Sequence, residues 1–324
     1  MKRKVFLAIQ ILVSLVLLAW LFQHQNFRVR MGQILAEAHP GWLLLGFLIA
    51  GIGSFLGIFR WGIFVQMLGL QINNREIVRM GLVALFFNNF LIGTVGGDAV
   101  KVIWLASRGK SKSLALMSVA MDRMSGIMAL VFCSFLFMIP RLDWLRQSEA
   151  VAALTRVIFV FLFVITGLFF LSLIGAYKKP ARWLPERFPG RTKMIEMETA
   201  YGSFLPHWRS ALVAGGISVF MFVTYYLTFY CAARAFDVKI PILDFVALMP
   251  TVDIISALPL SVGGFGVREH LFTVLLGDLC SVPSAQAVLI SLGGAFLTMA
   301  WGLAGLIALP SYRLAQRDLS KVAS

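Results

Sequence analysis

Thr94-Val95-Gly96-Gly97-Asp98-Ala99-Val100-Lys101 returns, altered, as Ser261-Val262-Gly263-Gly264-Phe265-Gly266-Val267-Arg268. Four positions are identical, three are close substitutions, and one sets Asp98 against Phe265. Each copy interrupts an apolar stretch and ends in a cation. A glycine pair followed by a charge is costly at membrane depth, where backbone groups have no water to bond and ions must be compensated. A single Gly-Gly pair would be unremarkable in a membrane helix. The shared order of hydroxyl, Val, Gly, Gly, Val and cation asks for a common structural cause.

The surroundings of both copies supply that cause. Of 324 residues, 59% are hydrophobic and only 14% charged, which excludes an ordinary soluble domain. Several apolar runs approach or exceed the 20 or so helical residues needed to cross a hydrocarbon core. The formal net charge of +14 lies in loops between these runs. It therefore reads as topology signal and contact with anionic lipid, and no nucleic-acid partner is expected. Cys133, Cys231 and Cys280 are widely separated and lack any metal-ligand spacing, so no disulfide framework, metal or cofactor is expected.

Read in order, Lys2-Arg3-Lys4 precedes an apolar run from Val5 to Phe22 that exits without a small-residue cleavage site, and is read as a retained span. Met31–Ala38 is a candidate interfacial helix. Trp42–Leu68 is a span carrying Gly46, Gly53 and Gly57 on a close-packing face. It also carries Arg60, which either snorkels to the interface or faces a transport pathway. Val78–Leu105, broken at the first glycine pair, has cytoplasmic-type charge at both ends and is predicted to be re-entrant. Spans follow at Leu114–Ile139, Thr155–Tyr177 and Ala211–Ala235. The basic segment Lys178–His207 lies between the last two. A second re-entrant pair is predicted over Leu243–Leu276, broken at Pro259 and Gly263-Gly264. A final span covers Ala287–Leu309, with Arg313, Arg317 and Lys321 after it.

Gly96 and Gly263 are 167 residues apart, and the same shift carries Trp42–Leu68 onto Ala211–Ala235 and Leu114–Ile139 onto Ala287–Leu309. Loop charge gives matching spans opposite directions. The expected fold is a single all-α polytopic domain over residues 1–324, an inverted-topology repeat with halves near 1–153 and 154–324. Both termini are expected in the cytoplasm.

A helix that begins at membrane depth presents unpaired N–H groups and partial positive charge, which suits an anion. Gly96, Gly97, Gly263 and Gly264 are thus expected to admit a phosphate closely at one shared spot, with Lys101, Arg268 and Arg123 adding full charge. Asn89, with Asn88, either satisfies broken backbone or contacts the headgroup. Asp98, Asp122, Asp253 and Glu269 either compensate neighbouring cations or couple transport to protons. Gly109-Lys110-Ser111 resembles the end of a phosphate-binding loop, but Trp104 occupies the place of its first glycine. No metalloprotease or serine-hydrolase motif occurs.

Asn88-Asn89-Phe90-Leu91 leading into the first signature, then Asp122-Arg123 and Gly126, and Pro259-Leu260 leading into the second signature and Glu269, resemble the flippase-like integral membrane family. This is the transmembrane domain shared with lysylphosphatidylglycerol synthase/flippase proteins. The resemblance covers nearly the whole chain. It implies a bacterial inner-membrane protein that moves or handles lipids with anionic or modified headgroups, alone or with a separately encoded lipid-modifying enzyme. Two positions depart from the family pattern: Ile92 stands where Pro is frequent, and Lys101 where Arg is usual, which keeps charge but loses bidentate phosphate geometry. The chain ends soon after the last span, so the aminoacyl-transfer activity of full synthases is not expected. An alternative is a membrane enzyme of lipid-linked glycan synthesis, against which no DxD motif is found.

Overall fold

The computed structural model describes residues 12–13, 16–17, 25–69, 72–90, 96–108, 112–178, 185, 191–202 and 205–322. The predicted first span lies almost entirely outside them, as do Thr94-Val95, residues 179–184 and 186–190 of the basic segment, and Gly109-Lys110-Ser111. The described residues are helical and contain no strand. In chain order they form α1 (Gln25–Ala36), α2 (Pro40–Met67), α3 (Asn74–Phe90), α4 (Gly96–Ser107), α5 (Lys112–Met138), a short turn α6 (Leu142–Leu145) and α7 (Glu149–Lys178). Then come α8 (Arg191–Gly202), α9 (Trp208–Ala235), α10 (Ile242–Ala257), α11 (Val267–Cys280) and α12 (Ser284–Val322).

Among the described residues, five stretches are long and apolar enough to cross a membrane: Pro40–Met67, Lys112–Leu145, Glu149–Ser172, Trp208–Ala235 and Ser284–Leu309. Their outward faces carry exposed Val157, Phe163, Phe296 and Ile307. In water so many large apolar side chains would drive aggregation, whereas in hydrocarbon they cost nothing. At 1.5 Å per residue, α4 reaches only about 18 Å and α11 about 21 Å, short of a hydrocarbon core.

The helices form two compact units. The first draws on residues 1–53, 132–160 and 222–301; the second draws on 54–131, 161–221 and 302–324. Both are therefore assembled from separated stretches of chain. In the second unit, α3 packs on α4, and their core joins Trp61, Met80, Val83, Trp104 and Leu105. Gly97 makes that packing possible: a Cβ there would lie 2.0 Å from the Ala84 carbonyl oxygen, closer than any repacking allows. In the first unit, α10 packs on α11, and Phe229, Phe245 and Phe272 stack into an aromatic core. The expected close-packing face of α2 is present in both units. Gly46 lies against Leu297 and Cys231 in the first, and Gly57 against Met221 in the second.

Candidate functional site: two charged clusters beside the glycine signatures

In the second unit, α4 begins directly at Gly96. Its N-terminal donors need partners, and Asn88 supplies one: its Oδ1 accepts from the Gly97 N–H at 2.8 Å. Asn88 thus satisfies backbone at the break. Asn89 sits elsewhere, with its amide nitrogen against Gly302.

One turn into α4, Lys101 is buried and its Nζ donates to Asp122 Oδ2 at 3.3 Å. The other oxygen of Asp122 accepts from Arg60 Nε at 2.7 Å. Arg60 therefore finds its partners inside the protein; it is buried and also donates to Ser218 Oγ at 3.0 Å. Lys101 lies over the Trp61 ring, 4.9 Å from its centroid. The Asp122 side chain is 5% exposed. A carboxylate so enclosed is tolerable because both its oxygens bond cations. Beside it, Arg123 donates through Nε and Nη2 to Asp98 Oδ2, each at 2.7 Å. The Arg123 side chain is 49% exposed, so this guanidinium is the accessible edge of the cluster. Among the described residues of this cluster, three cations and two carboxylates leave one positive charge in excess.

In the first unit, the signature folds differently. Gly263 and Gly264 form part of a short 3-10 turn, Val262–Gly264, with φ of 61° and 79°. Gly266 takes φ of 86°, a left-handed conformation that only glycine adopts without strain. It precedes α11, which begins only at Val267. Glu269, fully buried, folds back to accept the Gly266 N–H. The same carboxylate accepts from Arg268 Nη2 at 3.3 Å and from Ser291 Oγ at 2.6 Å, and Arg268 Nε donates to Ser291 Oγ at 3.1 Å. Rings of Phe229 and Phe265 flank the Arg268 guanidinium at 5.8 and 5.3 Å. One turn before the end of α10, Asp253 faces Tyr225 and Tyr226 of α9 and Arg268.

Lys101, Arg123, Asp98, Asp122, Gly96, Gly97 and Asn89 thus belong to the second unit. Arg268, Glu269, Asp253, Gly263 and Gly264 belong to the first. Of the two roles expected for the asparagines, Asn88 takes the backbone one at the start of α4, and Glu269 accepts the Gly266 N–H at the start of α11. An N–H open to hydrocarbon costs several kcal/mol, so the chain fills it. Sequence reading missed Ser218, Ser291, Trp61 and the two tyrosines. Adjacent tyrosines within an otherwise apolar span were an available signal; the serines offered none.

The chain belongs to the family described as the lysylphosphatidylglycerol synthase TM region, which it matches over residues 7–322. No curated protein matches it significantly.

Proposed function

We propose, from this family membership and the charge balance beside the first signature, that the chain is a lipid transporter of flippase type in a bacterial inner membrane. The family ties it to membrane lipid modification or transport. The finer reading rests on the single excess positive charge among Arg60, Lys101 and Arg123, with the half-exposed Arg123 at its edge. A phospholipid phosphodiester carries one negative charge. Docked on Arg123 and Lys101 it would neutralise the cluster, which is what a buried ionic group requires. Arg268 is the corresponding cation of the second signature, and there a headgroup would have to displace Glu269.

The reading includes an inverted repeat with re-entrant helix pairs and cytoplasmic termini. One feature of the fold supports the repeat. The 167-residue shift between the glycine pairs carries the stretch 54–131 of the second unit onto 221–298, and the first unit contains the stretch 222–301. Each short helix pair is thus grouped with the same parts of its flanking long helices. The short lengths of α4 and α11 fit helices that enter and leave by one face.

Reconstituted into vesicles, the protein should exchange a fluorescent anionic phospholipid between leaflets, with Arg123→Gln and Lys101→Ala each slowing exchange by about tenfold. Rates unchanged in both variants, with folding verified by gel filtration, would remove the proposed contacts. Aminoacyl or sugar transfer by the purified chain would replace transport with an enzymatic reading.

A further inference from the structure

Three of the four acids expected to matter near the glycine signatures are matched by a cation in an ion pair: Asp98 by Arg123, Asp122 by Arg60 and Lys101, Glu269 by Arg268. Asp253 forms no ion pair among the described residues, although Arg268, Tyr225, Tyr226 and Cys133 all face it. Its Oδ2 is shut off from solvent; the hydroxyls of Tyr225 and Tyr226 are turned toward the carboxylate, but none makes a well-formed hydrogen bond to Oδ2. Three neighbouring hydroxyls share that condition. Tyr226 is completely buried, yet its Oη has no hydrogen-bond partner. Ser256, one helical turn after Asp253 and so on the same face of α10, is likewise unsatisfied at Oγ. So is the buried Ser261, which opens the turn that brings Gly264 against Ser256.

Protein interiors satisfy their polar groups almost completely, so four unbonded oxygens along one break require a reason. All four can accept; Asp253 and Ser256 lie in the last turns of α10, with the partial negative charge of a helix C-terminus, Tyr226 faces Asp253 from α9, and Ser261 opens the turn that follows. With Arg268 already matched by Glu269 and Ser291, an ionised Asp253 leaves this region one negative charge in excess. Oxygen donors, one net negative charge and a helix C-terminus at a broken pair suit a small cation.

We infer that Asp253, Tyr226 and Ser256, with Ser261 on the turn that follows, form a binding site for one monovalent cation, a proton or a sodium ion. Its occupancy neutralises Asp253. This rests on the transport reading for its purpose: the cation is what such a transporter would couple to. The site itself can be tested without any lipid movement.

Full-length protein in nanodiscs is melted in sodium chloride and in choline chloride over the neutral pH range. Wild type should be stabilised by sodium, or by acidification in choline if the ligand is a proton. Asp253→Asn should abolish that dependence while melting as one cooperative transition. Tyr226→Phe, which keeps the ring and removes only the hydroxyl, should weaken the response several-fold. In vesicles, an imposed sodium or proton gradient should accelerate lipid exchange in wild type and leave Asp253→Asn unaffected. A wild-type melting curve indifferent to both cations overturns the site. Lipid exchange that proceeds normally in that case would leave transport standing without it. A cation response with no lipid exchange would confirm the site and remove the transport reading instead.

Discussion

Lys101 and Arg268 hold the same place in two copies of one signature, and the protein neutralises them by different means. Beside Lys101 the counter-charge comes from a different helix: Asp122 of α5 bridges Lys101 and Arg60 of α2. Beside Arg268 it comes from the next residue, Glu269, on the same helix and helped by Ser291 of α12. The 167-residue shift places Leu289 opposite Asp122 and Leu227 opposite Arg60. One copy therefore keeps a bridging acid and a second cation where the other keeps leucines. The lesson is that a repeated motif fixes where a buried charge is needed, while its compensation is free to move to whichever neighbour can reach.

The glycines differ in the same way. Gly97 is helical and is needed for space, because any side chain would strike the Ala84 carbonyl. Gly263 is needed for conformation, because its φ is 61° and the space around it is ordinary. One sequence signature thus serves close packing in the first copy and a left-handed turn in the second.

The sharpest way to break the comparison is at the acids. Asp122→Asn strands two buried cations and should cost about 3–5 kcal/mol, seen as a large fall in melting temperature or loss of monodisperse protein. Glu269→Gln strands one cation that keeps Ser291 and two aromatic rings, and should cost about 2–3 kcal/mol. Equal losses would mean the two clusters are equivalent after all.

At the glycines, Gly97→Ala forces backbone apart and should cost about 3 kcal/mol. Gly263→Ala faces only left-handed strain, about 1–2 kcal/mol. The reverse order in thermal melts would assign the packing role to the second copy. The smallest stability effect is expected at Arg123. Its pair with Asp98 is half-exposed, so Arg123→Gln should change stability by less than about 1 kcal/mol while still slowing lipid exchange. A variant equally damaged in both would make Arg123 a structural residue.

Much of the helical architecture was legible because it depends on local quantities. Apolar length placed Trp42–Leu68, Leu114–Ile139 and Ala211–Ala235 within a few residues of α2, α5 and α9. The glycine and proline punctuation put a break between α10 and α11. Arg60 was visible as a lone cation in an apolar run. Its fate was not visible, since a snorkelling arginine and a paired one look alike until its partner 62 residues away is brought beside it. The later start of α11 relative to α4 was also unreadable, because Gly266 against Ala99 looks conservative until its left-handed φ is known.

By itself the sequence determined a helical membrane protein of several spans, two glycine-broken points, and a cation one turn beyond each. These follow from hydrophobic length, from glycine's lack of a side chain, and from the cost of charge in hydrocarbon, all carried by consecutive residues. Only tertiary structure decided which acid answers which cation, which helix start is capped by Asn88 or Glu269, and that Asp253 is left facing unbonded hydroxyls. An ion pair needs its atoms within a few ångströms, and that distance is set by how separated helices pack.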